Sequence, residues 1–288
     1  MEFDNIVSSY FLVFYLISIV SILMLFFRSN KIRLIQWAAA VPLFFSFVAS
    51  GLIIALATKK DVLVSWKISW MYGPTFLYRL DTISIVTIFF ISLLSFLFII
   101  NMKNLFEKSC KFYCVAASTL LVVAGVALSC QASNVSSWVP GIILSSFAVV
   151  VAMYSNAHSS EQNIKILFDF IKENTWAVVI LIIGLTVLPK EVGLFYFEPI
   201  TSTRGNHDLF GAGLFLLGVL ILARPLPISL KIQGHKEVPH LNGMLFIKIS
   251  YYLCIFMSLY KLQPFLEDNR WDVILGYIFV FVGALELL

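Results

Sequence analysis

Residues 80–101 read LDTISIVTIFFISLLSFLFIIN. After Asp81 the stretch contains no charged side chain. Its length is that of a helix crossing the hydrocarbon core of a bilayer, which needs about 20 mostly apolar residues. An ionisable group in the middle of such a helix is costly. Asp81 stands instead at the mouth of the run, where a span can begin.

The same reading extends outward in both directions. Apolar runs at 10–27 and 34–57 precede it, and runs at 113–130, 138–154, 175–188, 209–223, 241–262 and 271–288 follow. Glu2 and Asp4 precede the first run, with no Lys or Arg, so it reads as a retained span and not a signal peptide. Residues 59–79 read as an amphipathic, Trp-rich loop. The seventh run stops at Arg224-Pro-Leu-Pro227, because two prolines remove two backbone donors. No low-complexity tract or short-period repeat is present.

Composition agrees. Of 288 residues, 60% are hydrophobic and 12% charged, and the mean hydropathy is +0.94. A soluble domain carries roughly 45–50% apolar and about 25% charged residues. A soluble globular enzyme and a disordered chain are both excluded. Nine spans would take roughly 180 positions, leaving no room for a soluble domain. The expectation is an all-α integral membrane protein, a polytopic bundle of about nine transmembrane helices. It forms one transmembrane domain over 1–288, with the first five spans in 1–154 and spans six to nine in 155–288.

Loop charge orients the chain. The connections after odd-numbered spans hold eleven Lys and Arg, those after even-numbered spans eight, and Lys248 lies within span eight. The positive-inside rule then places the N-terminus outside and the odd connections in the cytoplasm. The net charge of +4 is scattered over loops without an aromatic-interleaved patch, so nucleic acid is not an expected partner.

Candidates for chemistry are few. Asp81 is open to two readings, an intramembrane ionisable group or the N-cap of the third span. Lys248 is either a buried relay or a side chain that snorkels to the interface. Glu286 is either intramembrane or emerging with the chain end. Cys110 and Cys114 would share a helix face, but no Cys-x-x-Cys spacing occurs, and the cysteines read as small apolar helix residues. His235, Glu237 and His240 fall within six residues. They lack the helical His-Glu-x-x-His spacing of a zinc site, and Pro239 prevents a regular helix, so no metal is expected. No phosphate loop, nucleophile elbow or triad pattern occurs, and no cofactor is expected.

Four ordered stretches carry a resemblance. The first is Gly73-Pro74 with Tyr78-Arg-Leu-Asp81-Thr-Ile-Ser84. The second is Ser137-Trp138-Val139-Pro140 with Ser145-Ser146. The third is Leu217-Gly218, Pro227, Glu237 and Pro239, the two prolines twelve apart. The fourth is Leu259-Tyr-Lys-Leu with Gly276 and Gly283. In this order they resemble the antiporter-like membrane subunits of NADH:quinone oxidoreductase (chains L, M and N) and their relatives in Mrp-type cation/proton antiporters. The first is similar to the family's Leu-Asp-Gly-Leu-Ser signature at the third span.

The resemblance implies one non-redox subunit of a larger membrane complex, working beside other membrane subunits of a respiratory or antiporter assembly. It also implies a bacterial inner membrane. Hydride and quinone chemistry would belong to other subunits. The departures are specific. The family's fifth-span glutamate falls at Val139, its seventh-span lysine at Leu222 with Arg224 two residues away, and its sixth-span Gly-Asp pair near Trp176-Ala177. Its core of about fourteen spans is longer than this chain. If the chain moves protons, the resemblance points to Lys248, Glu237, Asp81 and Arg224. The other expectation is a non-transporting scaffold, assembly protein or decayed paralogue. An unrelated permease would need interrupted spans in corresponding halves, and none is evident.

Overall fold

The computed structural model describes residues 2–27, 31–57, 64–68, 76–105, 111–133, 135–156, 168, 171–172, 175–184, 211, 213–214, 217–218 and 221. Its elements run α1 (Glu2–Phe27), α2 (Ile32–Ala57), β1 (Val64–Ile68), β2 (Phe76–Leu80), α3 (Thr82–Leu105), α4 (Phe112–Gln131) and α5 (Val135–Asn156). Thr175–Gly184 forms a further apolar helix, α6. The first six expected spans therefore all contain helix. Single helical positions between 211 and 221 fall in the seventh. Spans eight and nine lie outside the described residues.

Among the described residues, Ile32–Ala55, Thr82–Lys103 and Phe112–Gln131 are long and apolar enough to cross a membrane, and shorter apolar stretches lie in α1, α5 and α6. The helices overrun the apolar runs: α1 begins at Glu2, and α5 begins at Val135. Hydropathy marks where hydrocarbon begins, whereas backbone hydrogen bonding continues into polar sequence beyond it.

The connection between α2 and α3 is more ordered than the amphipathic loop expected there. It holds an antiparallel hairpin pairing Val64 with Leu80, Trp66 with Tyr78 and Ile68 with Phe76. In β2, Tyr78 and Leu80 are buried and Arg79 is exposed, the period-2 alternation of a half-buried strand. Tyr78 also bridges Ala132, just past the end of α4. The hairpin thus lies at one end of the bundle, β2 against α4 and α5 and β1 against α1.

Helix α4 is the hub. Every residue from Cys114 to Gln131 is buried, beneath α1, α2, α3 and above all α5. Such enclosure needs small side chains, since lipid supplies no hydrophobic drive between helices and close backbone approach must supply the packing. The α4–α5 crossing shows how. Gly125-Val-Ala-Leu-Ser129 on α4 faces Gly141-Ile-Ile-Leu-Ser145 on α5. A methyl group on Gly125 would overlap Ser145 Oγ and come within 2.7 Å of the Gly141 carbonyl oxygen. One on Gly141 would overlap Ser129 Oγ and come within 2.8 Å of the Gly125 carbonyl oxygen. Between α6 and the seventh run, Gly218 likewise sits where a Cβ would be 2.9 Å from the Leu181 nitrogen.

Candidate functional site

Helices in a bilayer turn their polar side chains inward, and the described ones do so. On α3 the residues Ser84, Ser92 and Ser95 are fully buried, while Phe90, Leu94, Leu97 and Ile100 face out. The positions differ by helical spacings, so two stripes divide the helix. Ser46 of α2 and Ser92 of α3 share a hydrogen bond of 2.8 Å across the helix pair. The Ser50 hydroxyl donates back to the Ser46 carbonyl at 2.6 Å. Ser118 and Thr119 both donate to the Val115 carbonyl at 2.8 Å. Bonds of this kind satisfy a hydroxyl within its own helix.

Polar groups concentrate at the hairpin end. Asp81 Oδ1 accepts the Ser84 amide at 2.6 Å, and the Asp81 carbonyl accepts the Ile85 amide at 3.0 Å. Asp81 is therefore the N-cap of α3, the second of its two sequence readings. The Ser84 hydroxyl donates to the Cys130 carbonyl at 2.5 Å and ties the start of α3 to the end of α4. The Ala132 amide donates to the carbonyls of Leu128 and Ser129, at 3.0 and 3.3 Å. Next to these sits Gln131, with no exposed surface and, among the described residues, no hydrogen-bond partner on either amide atom. The Ser133 hydroxyl nearby also has no partner among the described residues.

Chemically this interior is a hydroxyl and amide environment. Among the described residues the buried polar side chains are Ser, Thr and Gln, and no acidic or basic side chain is buried. Such groups donate and accept hydrogen bonds but hold no charge in the accessible pH range. Val139, where the sequence resemblance would set the family's fifth-span glutamate, is half-buried in α5 and packs on the core beside Pro140. Cys114 and Cys130 are buried and not disulfide-bonded. Arg224, Glu237 and Lys248, together with His235 and His240, lie outside the described residues. Asp81 is thus the one proposed proton-path residue that the structure places, and it places it on a helix terminus. Sequence reasoning missed Gln131, because the search for costly groups in spans was confined to ionisable ones.

No family model matches the sequence, and no curated protein does. Solved structures do match. A chain of the Mrp complex from Dietzia sp. superposes with a TM-score of 0.69 at 16% identity, covering 91% of this chain and 49% of that one. A chain of respiratory complex I from Thermus thermophilus, solved with bound aureothin, gives 0.62 at 14% identity, over 88% of this chain and 52% of that one. A chain of the membrane-bound sulfane sulfur reductase, an archaeal respiratory membrane complex, gives 0.59 at 11%, over 88% of this chain and 64% of that one. This chain spans about half the length of the first two and under two thirds of the third. At these identities the likeness is one of fold: the protein is a multi-pass helical membrane protein with the fold of chains found in Mrp-type and respiratory membrane complexes.

Proposed function

We propose that this protein works as one membrane subunit of a respiratory NADH:quinone oxidoreductase-like or Mrp-type complex, with a role in, or descended from, proton or cation translocation. The observation that carries the reading is the fold likeness over 91% of the chain to a chain of an Mrp complex. The membrane that the resemblance implies is a bacterial inner membrane. Purification of the tagged full chain in mild detergent, with partners identified by mass spectrometry, tests it. Co-purification with other subunits of such a complex is expected. A chain that runs alone, or with chaperones and proteases only, would refute it.

A second reading is favoured by a specific observation. The described interior offers hydroxyls and one amide but no acid or base, and Val139 cannot hold a proton. On this reading the subunit scaffolds a complex without transporting. Proton flux in vesicles separates the two. A transporting subunit gives flux that falls on Lys248→Ala; a scaffold gives none above the background of empty vesicles.

A further inference from the structure

The end of the bundle opposite the hairpin carries cations on an apolar seam. Helices α2 and α3 run antiparallel, and the Gln36 side-chain amide donates to the carbonyls of Ile99 and Ile100 at 3.3 and 3.2 Å. This clamp fixes their relative height. Arg33 lies one turn beyond Gln36 toward the start of α2, and Lys103 one turn beyond Ile99 toward the end of α3. The two cations therefore stand at the same level on neighbouring helices, whose axes lie roughly 8–10 Å apart. Both are exposed.

They also share an edge of the seam. The rings of Phe44 and Phe96 meet across it, with centroids 5.7 Å apart. Trp37 is seven residues before Phe44, Arg33 eleven before it, and Lys103 seven after Phe96. Spacings of seven and eleven return a residue to nearly the same side of a helix. Arg33 and Trp37 thus lie above Phe44, and Lys103 above Phe96, along one groove. Trp37 is 72% exposed, one turn deeper than Arg33, where an interfacial indole sits between headgroups and chains.

We infer that the α2–α3 seam binds an anionic phospholipid, its phosphate between Arg33 and Lys103 and its acyl chains against Trp37, Phe44 and Phe96. Charge complementarity selects the headgroup, and the exposed aromatic edge accommodates chains that a soluble anion lacks. Among the described residues no acidic side chain lies at this end.

The test uses the full chain, reconstituted in phosphatidylcholine vesicles doped with phosphatidylglycerol, extracted gently, and read for retained lipid by native mass spectrometry. Preferential retention of phosphatidylglycerol is expected. Arg33→Gln with Lys103→Gln should lower that retention on the order of thirtyfold, given a contribution of about 1 kcal/mol per cation at a membrane surface. Arg33→Lys should keep it, since a phosphate also accepts a point charge. Arg79→Gln, at the hairpin end, should leave it unchanged and controls for folding. Equal retention of phosphatidylcholine, or undiminished phosphatidylglycerol in the double variant, would overturn the inference. So would stripping of the lipid by inorganic phosphate alone, which would mark a simple anion site. A pair engaged by an acidic side chain of a partner subunit would show no lipid preference in the isolated chain, and that result too would overturn it.

Discussion

At the scale of single residues, two side chains at the hairpin end make opposite predictions. Asp81 satisfies an orphan amide of α3, so Asp81→Ala should lower stability in detergent by about 1 kcal/mol, while Asp81→Asn should preserve it, because Asn caps as well as Asp. The Asn variant also separates capping from proton transfer: an Asn variant of normal stability that loses proton flux would return Asp81 to the proton path. The cap was legible in the sequence, since Asp-Thr-Ile-Ser sets an acceptor three residues before a free amide at the start of an apolar run. Gln131 is the converse case. Its carboxamide is enclosed without partners among the described residues, and an unsatisfied buried polar group costs about 1–3 kcal/mol. Gln131→Met keeps the shape and removes both polar groups, so it should raise the thermal midpoint. A lower midpoint would show that the amide is engaged after all. Nothing in a single sequence marks Gln131, because an uncharged residue at the end of an apolar run looks like the start of a loop.

At the scale of elements, the α4–α5 crossing and the α2–α3 pair differ in what a methyl group would meet. At Gly125 the obstacles include the backbone of Gly141 and Ser145, which cannot move without parting the helices. At Gly51 the obstacle is the edge of the Phe89 ring, 3.3 Å away, which can swing. Overpacking costs about 1–3 kcal/mol. Gly125→Ala should reach the top of that range, and Gly51→Ala should fall below it, in unfolding by denaturing detergent. Equal costs would mean that the α4–α5 contact is not the tight one. Ser145→Gly should not rescue Gly125→Ala, since the two backbone contacts remain. The first six helices were readable from runs of apolar residues, and their order survived into the structure. Which helix lies at the centre was not readable, because uniform hydrophobicity looks alike whether it faces lipid or protein. The clue was compositional: α4 is rich in Ala and Val, with Gly125 and two Ser, while α3 presents Phe, Leu and Ile outward. The hairpin left a clue as well. Val-Ser-Trp-Lys-Ile over 64–68 alternates with period 2, and Gly73-Pro74 is a turn signal in the sequence ahead of β2. Read as a whole, the segment looked amphipathic without a period; read in fives, it alternates.

At the scale of the whole molecule, charge distribution sets how the bundle lies in the membrane. Across all connections the excess of Lys and Arg after odd-numbered spans is only eleven to eight. The described helices sharpen it. Lys31, Arg33, Lys103 and Lys111 lie at the end where α2 begins and α3 finishes, while the hairpin end has Lys67 and Arg79 together with Glu2, Asp4 and Asp81. Acidic residues contribute little to orientation, so among the described residues of these helices and strands the weight rests on four cations against two. The two described at the hairpin end sit on strands. The four at the other end flank long apolar helices within a turn or two, where positive charge resists transfer most directly. The end bearing Arg33 and Lys103 should therefore face the cytoplasm, with the N-terminus outside. In a background without native cysteines, Arg33→Cys should resist a membrane-impermeant maleimide in intact cells and react only after permeabilisation. Arg79→Cys should react in intact cells. The reverse pattern would invert the molecule, and it would also move the proposed lipid seam from the cytoplasmic leaflet, where anionic headgroups give a negative surface potential, to the opposite one. The labelling result thus constrains the seam independently of any lipid measurement: an Arg33 site facing outward would have to find its anionic lipid in the other leaflet.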